Sequence, residues 1–66
     1  MPPRMASVIR RLRERRKLTQ EDLAKRAKVA RGYVAKLEAG HASNPSAEVL
    51  RRLAKALKVK VGALLE

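Results

Sequence analysis

Three observations predict an all-α domain. Apolar residues recur at i, i+3 and i+4 in several short stretches, the spacing of a single helix face. Leu, Val, Ile and Ala supply nearly all the apolar bulk, with Tyr33 the one aromatic side chain, and the abundant Arg and Lys favour helix too. Runs of β-branched residues and the Asn-Gly or Asp-Gly pairs that mark hairpins are absent. The stretches number five, so the expectation is a compact five-helix bundle spanning residues 1–66 as one domain. At 66 residues the chain is close to the lower limit for folding without staples.

The first helix is expected over about residues 4–16. Met1, Pro2 and Pro3 cannot carry it backwards, although a proline fits a first helical turn. Met5, Val8, Ile9, Leu12 and Arg16 follow the helical stripe, whereas Arg10, Arg11, Glu14 and Arg15 face away. Arg13 lies at the stripe's edge, where a half-buried charge needs a partner. Glu38, on the inner edge of the third helix, is the candidate; two unrelated surface charges are the alternative.

Lys17 and Leu18 lead into LTQEDLAKRAKVARGYVAKLEAG, residues 18–40, around which the rest is arranged. Thr19 followed three residues later by Asp22 has the capping-box spacing, so the second helix starts near Gln20. It turns Leu23, Ala24 and Ala27 to one side. Residues 28–31 break the pattern, with Val29 their only large apolar side chain. The third helix places Val34, Leu37 and Glu38 inward. Gly32, Ala35, Lys36 and Ala39 fall on its outer face, flanked by Arg31 and Tyr33. That face has almost nothing to bury, so its use lies outside the core. Helix, turn and helix together cover about residues 19–39.

Gly40 suits the left-handed position that ends a helix. Residues 41–45 form a loop, in which His41 has no evident role. Ser46 caps the fourth helix, whose stripe is Val49, Leu50, Leu53, Ala54 and Leu57, with Arg51, Arg52 and Lys55 outside. Val59, Val61, Leu64 and Leu65 close the chain as a turn and a short fifth helix.

Seventeen basic residues against six acidic give a net charge of +11. Such a chain repels itself and attracts polyanions, which favours a nucleic-acid partner. A membrane-surface peptide is a competing use of the charge, but the apolar stripes are short, separate and broken by turns. No apolar run reaches the length of a bilayer span, and no signal-peptide core precedes the first helix, so a cytoplasmic protein, nucleoid-associated when bound, is expected. No Cys and one His leave no thiolate or His-rich metal site, and no cofactor is expected. Six carboxylates and one His make no credible nucleophile–base set, and there is no phosphate-cradling glycine loop, so an enzyme is disfavoured.

The ordered set LTQEDLA, VARGYVAKLEAG, NPS and a Leu-rich helix resembles the phage repressor and Cro (XRE-like) helix-turn-helix family, from about Ile9 to Leu65. The resemblance implies a lambda-repressor-like DNA-binding domain whose third helix enters the major groove of double-stranded DNA. On that footing Arg31 offers a bidentate contact to guanine, and Lys36 reaches a base or phosphate. Gly32 and Ala35 allow close approach, Ala35 beside a thymine methyl. Tyr33 is a phosphate or sugar contact, or a ring covering the edge of the motif. Gln20 meets a phosphate at the second helix's N-terminus, and Ser43 and Asn44 are further phosphate partners. In the family an Arg and a Glu at the places of Arg13 and Glu38 form an ion pair.

The chain departs from the family's pattern where relatives usually carry Gly, having Lys17, Lys28 and Lys58 after the first, second and fourth helices. Either lysine occupies the left-handed conformation there, or the turns differ.

The reading surface holds few base readers, so selectivity calls for two copies on a near-palindromic operator. Val61, Leu64 and Leu65 are the candidate homodimer patch; capping the monomer core is their alternative use. A transcriptional regulator, most simply a repressor, is the leading function. Two others stand beside it: an antitoxin that holds a toxin protein as well as DNA, and a nucleoid or RNA-binding protein without sequence choice.

Overall fold

The computed structural model describes residues 3–42 and 45–65, and Pro3 by its backbone alone. These form α1 (Pro3–Arg15), α2 (Gln20–Ala27), α3 (Arg31–Ala39), α4 (Ala47–Leu57) and a 3₁₀ turn (Val61–Leu64). Among the described residues there is no strand. The fifth helix expected from the sequence is thus corrected to a single 3₁₀ turn, leaving four α-helices. Lys60 is extended ahead of the turn, and the closing bonds run from Ala63 N to the Lys60 carbonyl and from Leu65 N to that of Gly62. Four residues are too few to propagate i→i−4 bonding, so the tighter helix wins.

The core sits where the inner stripes of all four helices meet the closing turn. Ile9, Leu23, Val34, Leu37, Leu53, Leu57 and Leu64 are fully buried. Each contributes about 1.5–3 kcal/mol relative to exposure. α2 lies against both α3 and α4, α1 against α3, and the 3₁₀ turn is seated on α1 and α4. α3 is thereby backed on one side by α1 and α2, which leaves its other side open.

All four helices end in the same way. Lys17, Lys28, Gly40 and Lys58 are left-handed, with φ of 58°, 59°, 78° and 58°. After α2, Lys28 N bonds the Lys25 carbonyl and Val29 N that of Ala24, and the other three ends repeat this pair of bonds. Of the two alternatives, the lysines therefore take the left-handed conformation themselves. A non-glycine residue there costs about 1 kcal/mol. A cation at a helix C-terminus returns about 0.3–1 kcal/mol.

Candidate nucleic-acid interface

The candidate interface comprises the start of α2 and the outer face of α3. Thr19 fixes where α2 begins: its hydroxyl accepts from Asp22 N at 3.0 Å, and Asp22 Oδ2 accepts from Thr19 N at 3.0 Å. The Thr19 backbone N–H, then its hydroxyl, hold the Asp22 carboxyl below its ordinary pKa, with Arg26 and Lys25 adding to the effect. Gln20 is consequently the first residue of the helix.

Gln20 is half-buried, and its Nε2 donates to Glu38 Oε1 at 3.2 Å. Glu38 also accepts from Arg13, at 2.6 Å from Nε and 3.0 Å from Nη2. The third Arg13 nitrogen, Nη1, donates to the Leu18 carbonyl at 2.7 Å. One guanidinium therefore joins α1, the α1–α2 link and α3, and the ion pair's side chains are only 12% and 4% exposed. The hydrogen bond to Glu38 raises the Arg13 pKa against the opposing effect of burial, so the guanidinium stays charged.

Arg31 opens α3 and is exposed; the preceding Ala30 offers no side-chain cap to the helix's first N–H groups. Arg31 shares a cleft with Arg13, Thr19, Gln20 and Glu21, so the N-termini of α2 and α3 border one opening. Gly32 and Lys36 are exposed along the same face, and Ala35 is half-buried beside Gln20 and Glu38. A Cβ built on Gly32 would meet nothing within 4 Å, so the fold itself does not demand glycine there. Tyr33 is half-buried and packs on the core.

Ser43 and Asn44 lie outside the described residues. Within the suggested dimer patch the three side chains part company. Leu65 is 58% exposed and Val61 is half-buried, but Leu64 is fully buried in the core. Leu64 is corrected from patch to core residue, because the 3₁₀ turn rotates it inward onto α1 and α4.

Several structural contacts had no signal in the sequence. Arg16, assigned to the apolar stripe, is exposed and donates from Nε to the Leu57 carbonyl at 3.2 Å, fastening the end of α1 to the end of α4. Arg52 Nη1 donates to the Lys28 carbonyl at 3.2 Å. The bond from Gln20 to Glu38 belongs with these. Their partners are 41, 24 and 18 residues apart, beyond the reach of any helical periodicity.

A helix-turn-helix with a pinned first helix and a bare, basic outer face on the next defines a class of DNA-binding regulators. The chain belongs to the XRE-type helix-turn-helix family, whose model, described as helix-turn-helix, matches residues 9–64. It is similar to the restriction-modification controller protein C.AhdI from Aeromonas hydrophila, at 33% identity over 92% of this chain and 91% of that one, with a TM-score of 0.87. The N-terminal DNA binding domain of SinR from Bacillus subtilis is 28% identical over 98% and 94% of the two chains, with a TM-score of 0.91. The restriction-modification controller protein C.Esp1396I is 27% identical over 94% and 80%, with a TM-score of 0.82. No curated protein matches the chain. Among the described residues no helix is long and apolar enough to cross a membrane.

Proposed function

We propose that the protein is a sequence-selective transcriptional repressor that lays α3 in the major groove of double-stranded DNA. The observation that carries this reading is the shared opening at the N-termini of α2 and α3, where Gln20 and Arg31 meet. Gln20 is fixed by Glu38 and directs the start of α2 to a phosphate, while Arg31 stands free to reach a guanine edge. Lys36 and Ala35 extend the contact along the groove, and exposed Gly32 lets the backbone come close. The likeness to two restriction-modification controllers and to the DNA binding domain of SinR supports a regulator, and repression follows if the bound site overlaps a promoter.

With so few base readers, two copies bind a near-palindrome whose half-sites lie about 10 base pairs apart. Exposed Leu65 and half-buried Val61 form the self-complementary contact. Neither the family nor the similar structures supports a toxin partner.

Selection of bound duplexes from a random pool tests the reading. A near-palindromic consensus is expected, and Arg31→Ala should relax one position per half-site at about 1–3 kcal/mol. Uniform weakening on every sequence would make Arg31 a phosphate contact instead. Leu65→Lys should reduce cooperative binding while sparing an isolated half-site, and a complex of one protein per full site would overturn the dimer.

A further inference from the structure

The proposed reading surface uses only two of the chain's seventeen basic residues, Arg31 and Lys36. A different concentration of charge lies where the C-terminal end of α2 meets the flank of α4. There a groove of about 580 Å³ is lined by Arg26, Lys28, Arg52, Lys55 and Lys58, with Ala56 at its side and Glu48 as its one carboxylate among the described residues. It shares no lining residue with the clefts at Gln20 and Arg31. Gln20 and Lys28 stand at opposite ends of α2, about 12 Å apart along the helix.

Two features show that this is more than scattered surface charge. Arg52 is held in place, with Nε donating to Glu48 Oε2 at 3.3 Å and Nη1 to the Lys28 carbonyl at 3.2 Å, so Nη2 is left outside these bonds. Glu48 is also engaged by Arg51 at 2.8 Å, which further offsets that carboxylate. Second, Lys28 and Lys58 both stand at left-handed positions that glycine would occupy with less strain. Charge complementarity with a helix end accounts for one cation at each C-terminus. It does not account for both lysines meeting Arg26, Arg52 and Lys55 in one groove.

We propose that this groove holds the phosphate backbone of a second DNA duplex, so that the protein bridges two DNA segments. The proposal rests on the reading of α3 as the primary DNA contact. The groove's chemistry selects the occupant: among the described residues, five cations offset one carboxylate, and Ala56 is the only apolar side chain. An acidic protein segment docked tightly would need an apolar anchor, which the groove does not provide. A phosphate backbone needs none, because neutralising its charge releases counterions along its length.

Capture of a second duplex tests this. A short immobilised duplex is saturated with protein, washed, and offered a fluorescent duplex of unrelated sequence at low salt. The wild type should retain the second duplex. The triple variant Lys28→Gly, Lys55→Ala, Lys58→Gly removes three groove cations and keeps the left-handed turns, since glycine accepts both. It should bind the immobilised duplex as the wild type does, and capture the second on the order of tenfold less. A control, Arg11→Ala with Arg15→Ala on the exposed side of α1, should leave capture nearly unchanged. Undiminished capture by the triple variant overturns the proposal, and so does an equal loss by the control, which would mean bulk charge rather than the groove. A triple variant that loses the first duplex as well would place the groove in the primary contact and also overturn it. Capture blocked by an added polyglutamate peptide more strongly than by competing duplex would assign the groove to an acidic protein. Failure to bind the immobilised duplex at all, in the wild type, would instead sink the reading of α3.

Discussion

Glu38 and Glu48 make nearly the same bonds in opposite surroundings. Glu38 accepts two hydrogen bonds from Arg13 and one from Gln20, and its side chain is 4% exposed. Glu48 accepts one each from Arg51 and Arg52, three and four residues along its own helix, and is 59% exposed. The first carboxylate closes a seam between separate segments where little of either side chain meets water. The second lies on the surface of one helix. An exposed pair gains little because water competes for both charges. A buried one leaves an uncompensated charge when its partner is lost. Burial, rather than the number of bonds, thus separates an ion pair that holds the fold from one that only covers it.

Glu38→Ala strands the Arg13 guanidinium in the seam and should cost about 3–5 kcal/mol. In so small a domain that lowers the melting temperature by more than about 10 °C. Glu48→Ala and Glu14→Ala, each cutting exposed pairs, should leave it nearly unchanged. Thermal unfolding followed by circular dichroism measures all three. Equal shifts for Glu38→Ala and Glu48→Ala would show that burial does not set the worth of these pairs.

Gln20→Ala probes the same seam from another side, because Gln20 touches both it and the proposed reading surface. Glu38 keeps both bonds from Arg13 in this variant, and Gln20 is only half-buried, so stability should fall by about 1 kcal/mol. DNA affinity should fall as well, by a similar factor on selected and unrelated duplexes, since a phosphate contact carries no sequence information. Titrating both duplexes by fluorescence anisotropy separates this from a base contact. A loss confined to the selected duplex would move Gln20 into base recognition.

Much of this arrangement is legible in the sequence, for an identifiable physical reason. The Thr19–Asp22 cap, the stripes of α1 and α4, and the empty outer face of α3 are all local patterns within a turn or two of helix. The pairing of Arg13 with Glu38 is long-range, yet a charge on a stripe's edge and the family resemblance together point to it. Gln20 as the third member of that network had no such signal, nor did Arg16 on the Leu57 carbonyl, because each depends on how helices cross. The last segment misled for a related reason. Val61, Leu64 and Leu65 carry an apolar pattern that fits a helix or a patch equally well. Only the 3₁₀ geometry decides that Leu64 goes inward and Leu65 outward.

The smallest expected effect concerns acid. Arg51, then Arg52, hydrogen-bond the ionised form of Glu48 and hold its carboxyl below the ordinary value of 4.5. The unfolded chain therefore binds this proton more readily than the folded one. The stabilisation is complete above about pH 4.5 and is lost as the pH falls through the folded-state value. Because the carboxylate faces water, salt should weaken the effect. Asp22 acts in the same direction through the Thr19 cap, so Glu48→Gln should remove only part of the acid sensitivity. Melting temperatures measured between about pH 3 and pH 7, at low and high salt, should show slightly less loss on acidification for Glu48→Gln than for wild type, with the gap closing in high salt. At neutral pH the same variant should be nearly as stable as wild type. Glu38→Gln, which removes the charge from the closed seam, should already be destabilised there, and salt should restore little of the loss. If Glu48→Gln instead proved as unstable at neutral pH as Glu38→Gln, exposure would not be what distinguishes the two carboxylates.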